Sequence, residues 1–146
     1  MRSPMDLYMD GLAVFNFTLQ RVGTLVRETL ALHGWEPEQV GAFLFHQANA
    51  FMLNSLAKKL KLPAGRVSLN IGKYGNTSIA SIPLLMADDF GGLLQEDQPQ
   101  NLLLAAFGIG YSWAAVAATL SGIRTAKVIS TEATAECSIH STSAAS

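Results

Sequence analysis

A run of four apolar residues that ends at a histidine constrains the fold of this chain more than any other feature. The run, Ala42–Phe45, has no polar alternation, which is typical of a parallel strand covered on both faces. It ends at His46, and the apolar spacing of an amphipathic helix begins at Ala48. A buried strand that leads directly into a helix is typical of layered α/β folds, and here it leaves a polar side chain at the strand end.

A second junction of this kind follows later in the chain. Residues 73–78 form a Gly-rich loop that ends at Asn76, and a helical pattern begins at Ser78. The neutral side chains of His46 and Asn76 are therefore well placed to face one pocket. Each has a structural alternative, because a strand-end histidine is often a satisfied structural residue and asparagine is a common helix N-cap. Capping and catalysis do not exclude each other, and the spacing of the metal-ligating residue types indicates no metal site.

Three helices are predicted from apolar residues that recur at three- and four-residue steps. Gly34 ends the first helix, and Pro63 prevents continuation of the second. Asn76 or Thr77 is expected to cap the third, and Pro83 is expected to kink it because it lies beyond the first predicted turn. The predicted helices cover residues 11–33, 48–62 and 78–91, and residues 63–75 are expected to be irregular.

An uncharged segment over residues 101–123 is long enough to span a membrane, but two strands explain it better. Gly108 and Gly110 lie in its middle, where a single spanning helix would tolerate them least. We therefore predict two buried strands, residues 102–107 and 113–120, joined by a Gly-rich turn. This hairpin makes the sheet mixed. A three-stranded sheet buried on both faces is small, so we expect it to pair with something outside this chain.

Composition limits the class of protein. The chain has 146 residues, enough for one domain, and its net charge of -1 leaves no basic surface for nucleic acid. Its content of 49% hydrophobic and 14% charged residues is unusually apolar for a free-standing domain. A single cysteine, Cys137, and an N-terminus without the apolar core of a signal peptide favour a cytoplasmic protein. Residues 9–121 are predicted to form the domain, and residues 122–146 a low-complexity, disordered tail.

Three sequence motifs occur in the order found in a known family. They are His-Gln-Ala-Asn at residues 46–49, Tyr-Gly-Asn-Thr-Ser at 74–78 and Phe-Gly-Ile-Gly-Tyr-Ser-Trp at 107–113. With matching spacing, from Met9 to Leu120, the chain resembles the C-terminal half of a β-ketoacyl-acyl carrier protein synthase III. The resemblance implies a thiolase-like α/β half-domain, in which a layered mixed sheet carries helices on both faces.

The resemblance also implies an acyltransferase activity, the decarboxylative Claisen condensation of an acyl thioester with malonyl-carrier protein. It assigns to His46 and Asn76 hydrogen bonds with the malonyl thioester oxygen. Negative charge develops on that oxygen as CO2 leaves, and donors held in a dry pocket lower the barrier. The implied substrates are thioesters of CoA and acyl carrier protein, with no bound cofactor and no metal. Fatty acid and polyketide pathways both remain open.

Further residues receive roles from the same resemblance. The loop of Gly108, Ile109 and Gly110 resembles the one whose backbone N–H helps to form the oxyanion hole for acyl transfer, and glycine there allows close backbone approach. Gln47 and Asn49 are expected to support the site or to cap the following helix.

A basic patch raises the question of carrier-protein docking. Lys58, Lys59 and Arg66 are candidates for binding an acidic carrier protein, and a solvated helix end is the alternative. In the family a basic residue commonly follows the histidine motif on this helix. Here Phe51 and Leu53 occupy that neighbourhood, which weakens the docking interpretation.

The family's nucleophilic cysteine has no counterpart in the matched region. Cys137 lies in the Ser/Thr/Ala-rich tail without a strand–helix context, so we do not expect it to be the nucleophile. We expect a cysteine-bearing N-terminal half or partner subunit, and an oligomer; a truncated, inactive fragment is the alternative. A second hypothesis is a non-catalytic structural subunit, since exposed apolar surface can be an interface. A third, an unrelated α/β binding module, requires three ordered motifs by chance.

Overall fold

A three-stranded mixed sheet with helices on both faces organises the chain. The computed structural model describes residues 9–90, 98–108, 111–122 and 128–129. Strand β1 (Ala42–Phe45) pairs in parallel with β2 (Gln100–Gly108), which pairs antiparallel with β3 (Ser112–Leu120). The strand order is therefore β1-β2-β3, and the predicted α/β fold with a mixed sheet is confirmed.

The N-terminal helical segment is continuous but not uniform. It consists of α1 (Gly11–Phe17), a π-helical turn (Thr18–Val22) and α2 (Gly23–His33). The Asp10 side chain caps its start by accepting a hydrogen bond from the backbone N–H of Ala13. Gly34 ends it in the left-handed conformation, with φ of 65°, as its position in the sequence predicts. No helix within the described ranges has the length and hydropathy that are needed to cross a membrane.

Three shorter helices follow, α3 (Ala50–Leu60), α4 (Ile71–Tyr74) and α5 (Ser81–Asp89). The prediction that residues 63–75 are irregular is wrong at α4, which is too short to show an apolar period. The predicted kink at Pro83 is also wrong. A 3-10 turn occupies Ser78–Ala80, so α5 begins later than predicted and Pro83 lies within its first turn. The missing N–H of proline needs no partner at that position.

Hydrophobic side chains of the sheet pack in two layers. On one face, Leu103 and Phe43 pack with Val26 of α2 and Leu56 of α3. On the other face, Leu102 packs with Leu85 and Ile82 of α5, among others. Successive residues of a strand point to opposite faces, which explains why neighbouring leucines of β2 belong to different layers.

The last strand departs from the predicted burial. The uncharged segment forms the predicted hairpin, but most of β3 is exposed, including Trp113 at 43% and Val116 at 59%. Helix α5 packs against β1, at the opposite edge of the sheet, and does not reach far enough to cover Val116. The turn residues Ile109 and Gly110 and nearly all of the predicted tail, 122–146, lie outside the described residues.

The packing of the two layers predicts that replacing a leucine by alanine lowers the free energy of unfolding strongly only where the leucine is buried. Leu56→Ala removes a side chain that is 0% exposed, and should lower the free energy of unfolding by about 2–5 kcal/mol. Leu32→Ala, at an 85% exposed position of α2, is the matched control and should change it by less than about 0.5 kcal/mol. Urea denaturation followed by circular dichroism measures both. Equal losses in the two variants would contradict this description of the core.

Candidate active site

His46 lies where β1 ends, as its place in the sequence predicts. Its backbone N–H donates to the carbonyl of Ala105 at 2.9 Å, which extends the pairing of β1 with β2 to this residue. The half-buried imidazole places Nδ1 2.8 Å from Oγ of Ser81, and the ring meets Phe107 edge-on at 5.6 Å between centroids. Backbone pairing, a hydrogen bond and an aromatic contact together fix the orientation of the ring.

A chain of hydrogen bonds connects His46 to Asn76. Ser81, only 1% exposed at the first position of α5, donates from Oγ to the carbonyl of Ser78. The N–H of Ser78 in turn donates to Oδ1 of Asn76 at 3.0 Å. The structure thus links the two side chains that the sequence singled out, through two serines between them.

The conformation of Asn76 is fixed from both sides. Its Oδ1 accepts the bond from Ser78, so the amide Nδ2 is the end of the side chain that is left to donate. Thr77, the other predicted cap, makes no capping bond with its side chain. Gly75, directly before Asn76, has φ of 70° and ψ of -162°, a conformation that is open essentially to glycine alone. This glycine therefore determines where the Asn76 side chain begins.

Gln47 connects the end of β1 to the segment that precedes the Asn76 loop. It is 0% exposed, and its Nε2 donates to the carbonyls of Phe45 at 3.0 Å and Ser68 at 3.3 Å. Its Oε1 accepts from the N–H of Asn70 at 3.1 Å, directly before α4. A buried amide with donors and acceptor satisfied is a rigid connection, so Gln47 ties the strand of His46 to the segment that leads to Asn76.

An ion pair holds the same segment from the outside. Nζ of Lys73 in α4 lies 2.7 Å from Oδ1 of Asp88 in α5, and the hydrogen bond to Asp88 raises the pKa of Lys73. The pair connects the helices on either side of the Asn76 loop. Because the lysine is exposed, the pair adds little to the free energy of folding, and its main effect is to hold α4 beside α5.

The environment of His46 favours the uncharged ring. Burial lowers the pKa of His46 below its usual 6.5, and the backbone carbonyl of Ser78 opposes this shift only in part. The imidazole is therefore neutral at neutral pH, with one N–H to donate and one nitrogen to accept.

Asn49 and Gly108, which the sequence also named, lie at the ends of other elements. Asn49 is the N-cap of α3, where its Oδ1 accepts from the N–H groups of Phe51 at 2.9 Å and Met52 at 3.2 Å. Gly108 is the last residue of β2. The rest of the predicted oxyanion loop, Ile109 and Gly110, lies outside the described residues.

The candidate docking residues are not equivalent. Lys58 and Lys59 are exposed near the C-terminal end of α3, and Nζ of Lys59 donates to the carbonyl of Leu19 at 2.9 Å. Arg66 instead donates to the backbone carbonyl of Val40, next to β1. Lys58 and Lys59 thus lie together on the surface of α3, whereas Arg66 contacts the backbone next to β1.

Ser81 is the site residue that sequence reasoning missed. The available signal was a pair of serines, Ser78 and Ser81, three residues apart at the start of a predicted helix. Such serines usually bond to nearby backbone, and the Ser81 hydroxyl does so. Its second contact, to a histidine 35 residues away in sequence, depends on the packing of α5 against β1.

Comparison with known proteins agrees with the motifs. Residues 30–120 match the sequence model of the family described as 3-oxoacyl-[acyl-carrier-protein (ACP)] synthase III C terminal. The chain belongs to this family.

Similar sequences belong to proteins described as β-ketoacyl-[acyl-carrier-protein] synthase III. The chain is 38% identical over 115 residues to the β-ketoacyl-[acyl-carrier-protein] synthase III of Streptococcus gordonii, covering 78% of this chain and 36% of the relative. The corresponding protein of Gloeobacter violaceus is 40% identical over 110 residues, 74% of this chain and 32% of the relative. The chain thus spans about a third of the length of the curated relatives it matches.

Solved structures support the thiolase-like α/β fold. The crystal structure of 3-oxoacyl-(acyl-carrier protein) synthase from Burkholderia xenovorans LB400 matches with a TM-score of 0.81 and 49% identity, covering 86% of this chain and 36% of that one. The synthase III of Pseudomonas aeruginosa PAO1 matches with a TM-score of 0.71 and 36% identity, over 83% of this chain and 38% of that one. In both cases this chain covers little more than a third of the solved protein.

Replacement of Gly75 is predicted to disturb the loop. Gly75→Ala places a Cβ at positive φ and should lower the free energy of unfolding by about 1–3 kcal/mol, although nothing lies within 4 Å of the new atom. Gly72→Ala in α4, where space is equally open and φ is negative, is the matched control and should be neutral or slightly stabilising. Urea denaturation of both variants is the measurement. If the two glycines tolerate alanine equally, backbone strain does not position Asn76.

The lowered pKa of His46 predicts a loss of stability in weak acid. The unfolded chain takes up a proton at His46 at a higher pH than the folded protein does. The stabilisation from the neutral ring is therefore fully present above pH 6.5 and is lost as the pH falls toward the lower folded pKa. The free energy of unfolding, measured between pH about 7.5 and about 5, should fall more steeply in the parent than in His46→Gln. Parallel curves for the two proteins would refute it.

Proposed function

We propose that this chain forms the C-terminal half of a ketoacyl synthase III that condenses an acyl thioester with malonyl-carrier protein by decarboxylation. Its contribution is the pair of donors that binds the malonyl thioester oxygen, Nε2–H of His46 and Nδ2–H of Asn76. The observation that carries the proposal is the hydrogen-bonded connection between these residues in a member of this family.

The chemistry asks for donors that are already oriented. As the malonyl carboxylate leaves as CO2, its electron pair moves into an enolate and charge accumulates on the thioester oxygen. Donors that are fixed before the reaction stabilise this charge without reorganising, and one such donor is typically worth about 10²–10³ in kcat. The contacts of His46 and the turn around Asn76 provide that kind of fixation.

Directionality assigns the donor atoms. Nδ1 of His46 is occupied by Ser81, so Nε2 is the nitrogen that is left for a substrate. Oδ1 of Asn76 is occupied by Ser78, so Nδ2 is left. Neither donor needs a metal or a bound cofactor, and the substrates are thioesters of CoA and acyl carrier protein.

The proposed partner is a cysteine-bearing N-terminal half, either earlier in the same polypeptide or in a separate subunit of an oligomer. Its cysteine accepts the acyl group, and the enolate then attacks the acyl carbon and releases the thiolate. The acidic carrier protein docks beside Lys58 and Lys59, which present charge near the end of α3. We propose a cytoplasmic site of action and a role in fatty acid biosynthesis.

A chimera tests the catalytic roles. This chain replaces the matched 36% of the Burkholderia xenovorans synthase, whose remaining part is proposed to supply the cysteine. In His46→Ala and Asn76→Ala chimeras, release of labelled CO2 from malonyl-carrier protein should fall by about 10² or more. Acylation of the cysteine by acyl-CoA, followed by intact-protein mass spectrometry, should change only a few-fold. The two readouts separate enolate formation from acyl transfer.

Matched controls keep this test specific. His33→Ala, at the end of α2, and Asn54→Ala, on the surface of α3, remove the same kinds of side chain from exposed positions. Both control chimeras should release CO2 at the parent rate. If His46→Ala or Asn76→Ala retains that rate in a folded chimera, the donor assignment is wrong.

The exposed apolar surface of β3 favours a second candidate, a non-catalytic structural subunit. Trp113 and Val116 are exposed on opposite faces of this strand at 43% and 59%. Surface of this kind fits an interface. On this view the parent chimera releases no CO2, and Asn76→Ala changes assembly, measured by size-exclusion chromatography, without a rate to change.

A further inference from the structure

The hydroxyl group of Ser81 lies between two groups that compete for its single hydrogen. Its Oγ is 2.8 Å from Nδ1 of His46 and is also hydrogen-bonded to the carbonyl of Ser78. A carbonyl oxygen can only accept, so Ser81 donates to Ser78. Toward His46, Oγ can then only accept, and the proton of that bond must belong to Nδ1.

This assignment determines the state of the other ring nitrogen. A neutral imidazole carries one N–H, so a proton on Nδ1 leaves Nε2 with a lone pair. In the arrangement that the structure describes, Nε2 of a neutral His46 is therefore an acceptor. Stabilising a forming enolate requires the opposite, an N–H at Nε2.

We propose that Ser81 is a positioning residue that sets the tautomer of His46 by rotation of its hydroxyl group. When the hydroxyl hydrogen of Ser81 points to the Ser78 carbonyl, the ring of His46 is protonated at Nδ1. In the second state solvent has given one proton to Nε2, Nδ1 has released its own proton to solvent, and the hydroxyl hydrogen has turned to Nδ1, which is now the acceptor. The ring is neutral before and after the change, because it gains one proton and loses one. This inference rests on the proposed function, because the malonyl thioester oxygen is what favours the second state.

Three observations favour rotation over protonation of the ring. Burial lowers the pKa of His46, so a doubly protonated ring is opposed. Ser78 is exposed, so water can satisfy its carbonyl after the hydroxyl turns away. Ser81 is 1% exposed, and among the described residues its hydroxyl bonds to Nδ1 of His46 and to the carbonyl of Ser78. The switch therefore leaves no buried polar group without a partner.

Nitrogen chemical shifts of the ring report the tautomer directly. In the parent chimera labelled with ¹⁵N-histidine, at pH about 7.5, His46 should be protonated at Nδ1. Addition of a malonyl-carrier protein analogue with a sulfonate in place of the carboxylate, which cannot lose CO2, should move the proton to Nε2. In Ser81→Ala the ring keeps its proton on Nδ1, where the Ser78 carbonyl accepts it, and the analogue should not move it.

Catalysis provides the second readout. Ser81→Ala should lower kcat for CO2 release by at least about tenfold, because an incorrect tautomer of the catalytic histidine strongly lowers kcat in serine proteases. The KM for malonyl-carrier protein should be nearly unchanged. Ser81→Thr retains a hydroxyl group and should restore most of the rate. Ser55→Ala, which removes a helix hydroxyl bonded to the carbonyl of Phe51 at 2.8 Å, is the matched control and should have the parent rate.

The outcomes separate this inference from the function on which it rests. If His46→Ala loses CO2 release while a folded Ser81→Ala keeps it within about twofold, only the tautomer switch is wrong. An Nε2–H ring before the analogue is added would overturn the switch as well. If His46→Ala itself keeps the parent rate, the proposed function fails, whatever the tautomer of the ring.

Discussion

The hydrogen bond between Nδ1 of His46 and Oγ of Ser81 joins two parts of the chain that are 35 residues apart. It requires β1 and α5 to be packed together, because His46 extends the strand and Ser81 begins the helix. Leu44 and Leu85 form part of the apolar layer that holds these two elements in contact. The geometry of a polar site thus depends on apolar packing beside it, and a shift of α5 along the sheet would separate the histidine from its partner.

A second set of constraints acts on the Asn76 loop. Gln47 fixes the segment before α4 through a buried amide, and the pair of Lys73 and Asp88 fixes α4 to α5. These contacts differ in kind, since the first is desolvated and stiff whereas the second is exposed and screened by salt. Gly75 then sets the direction of the chain, with φ of 70° and ψ of -162° that would strain a residue with a side chain. The Asn76 loop is thus anchored on both sides, by Gln47 before α4 and by the ion pair between α4 and α5.

Local pattern was a good guide to much of the chain. The unbroken apolar run predicted β1, the glycine pair in an uncharged segment predicted a hairpin instead of a membrane span, and Gly34 marked the end of α2. The kink at Pro83 and the irregularity of residues 63–75 were predicted incorrectly. In both cases the error arose from a helix boundary, which depends on capping and packing more than on local composition. The burial of β3 was overestimated because hydropathy does not tell which face a neighbouring helix covers.

The sequence by itself determined most of the elements, their order and the two polar residues at helix entrances, because apolar period, glycine and proline act over a few residues. Three ordered motifs were also sufficient to indicate the family. Only the tertiary structure decided that Ser81 contacts His46, that Arg66 bonds to the backbone next to β1, and that Gln47 connects the two junctions. Each of these is a hydrogen bond between residues more than 20 positions apart, and such bonds form only after packing has brought distant segments together.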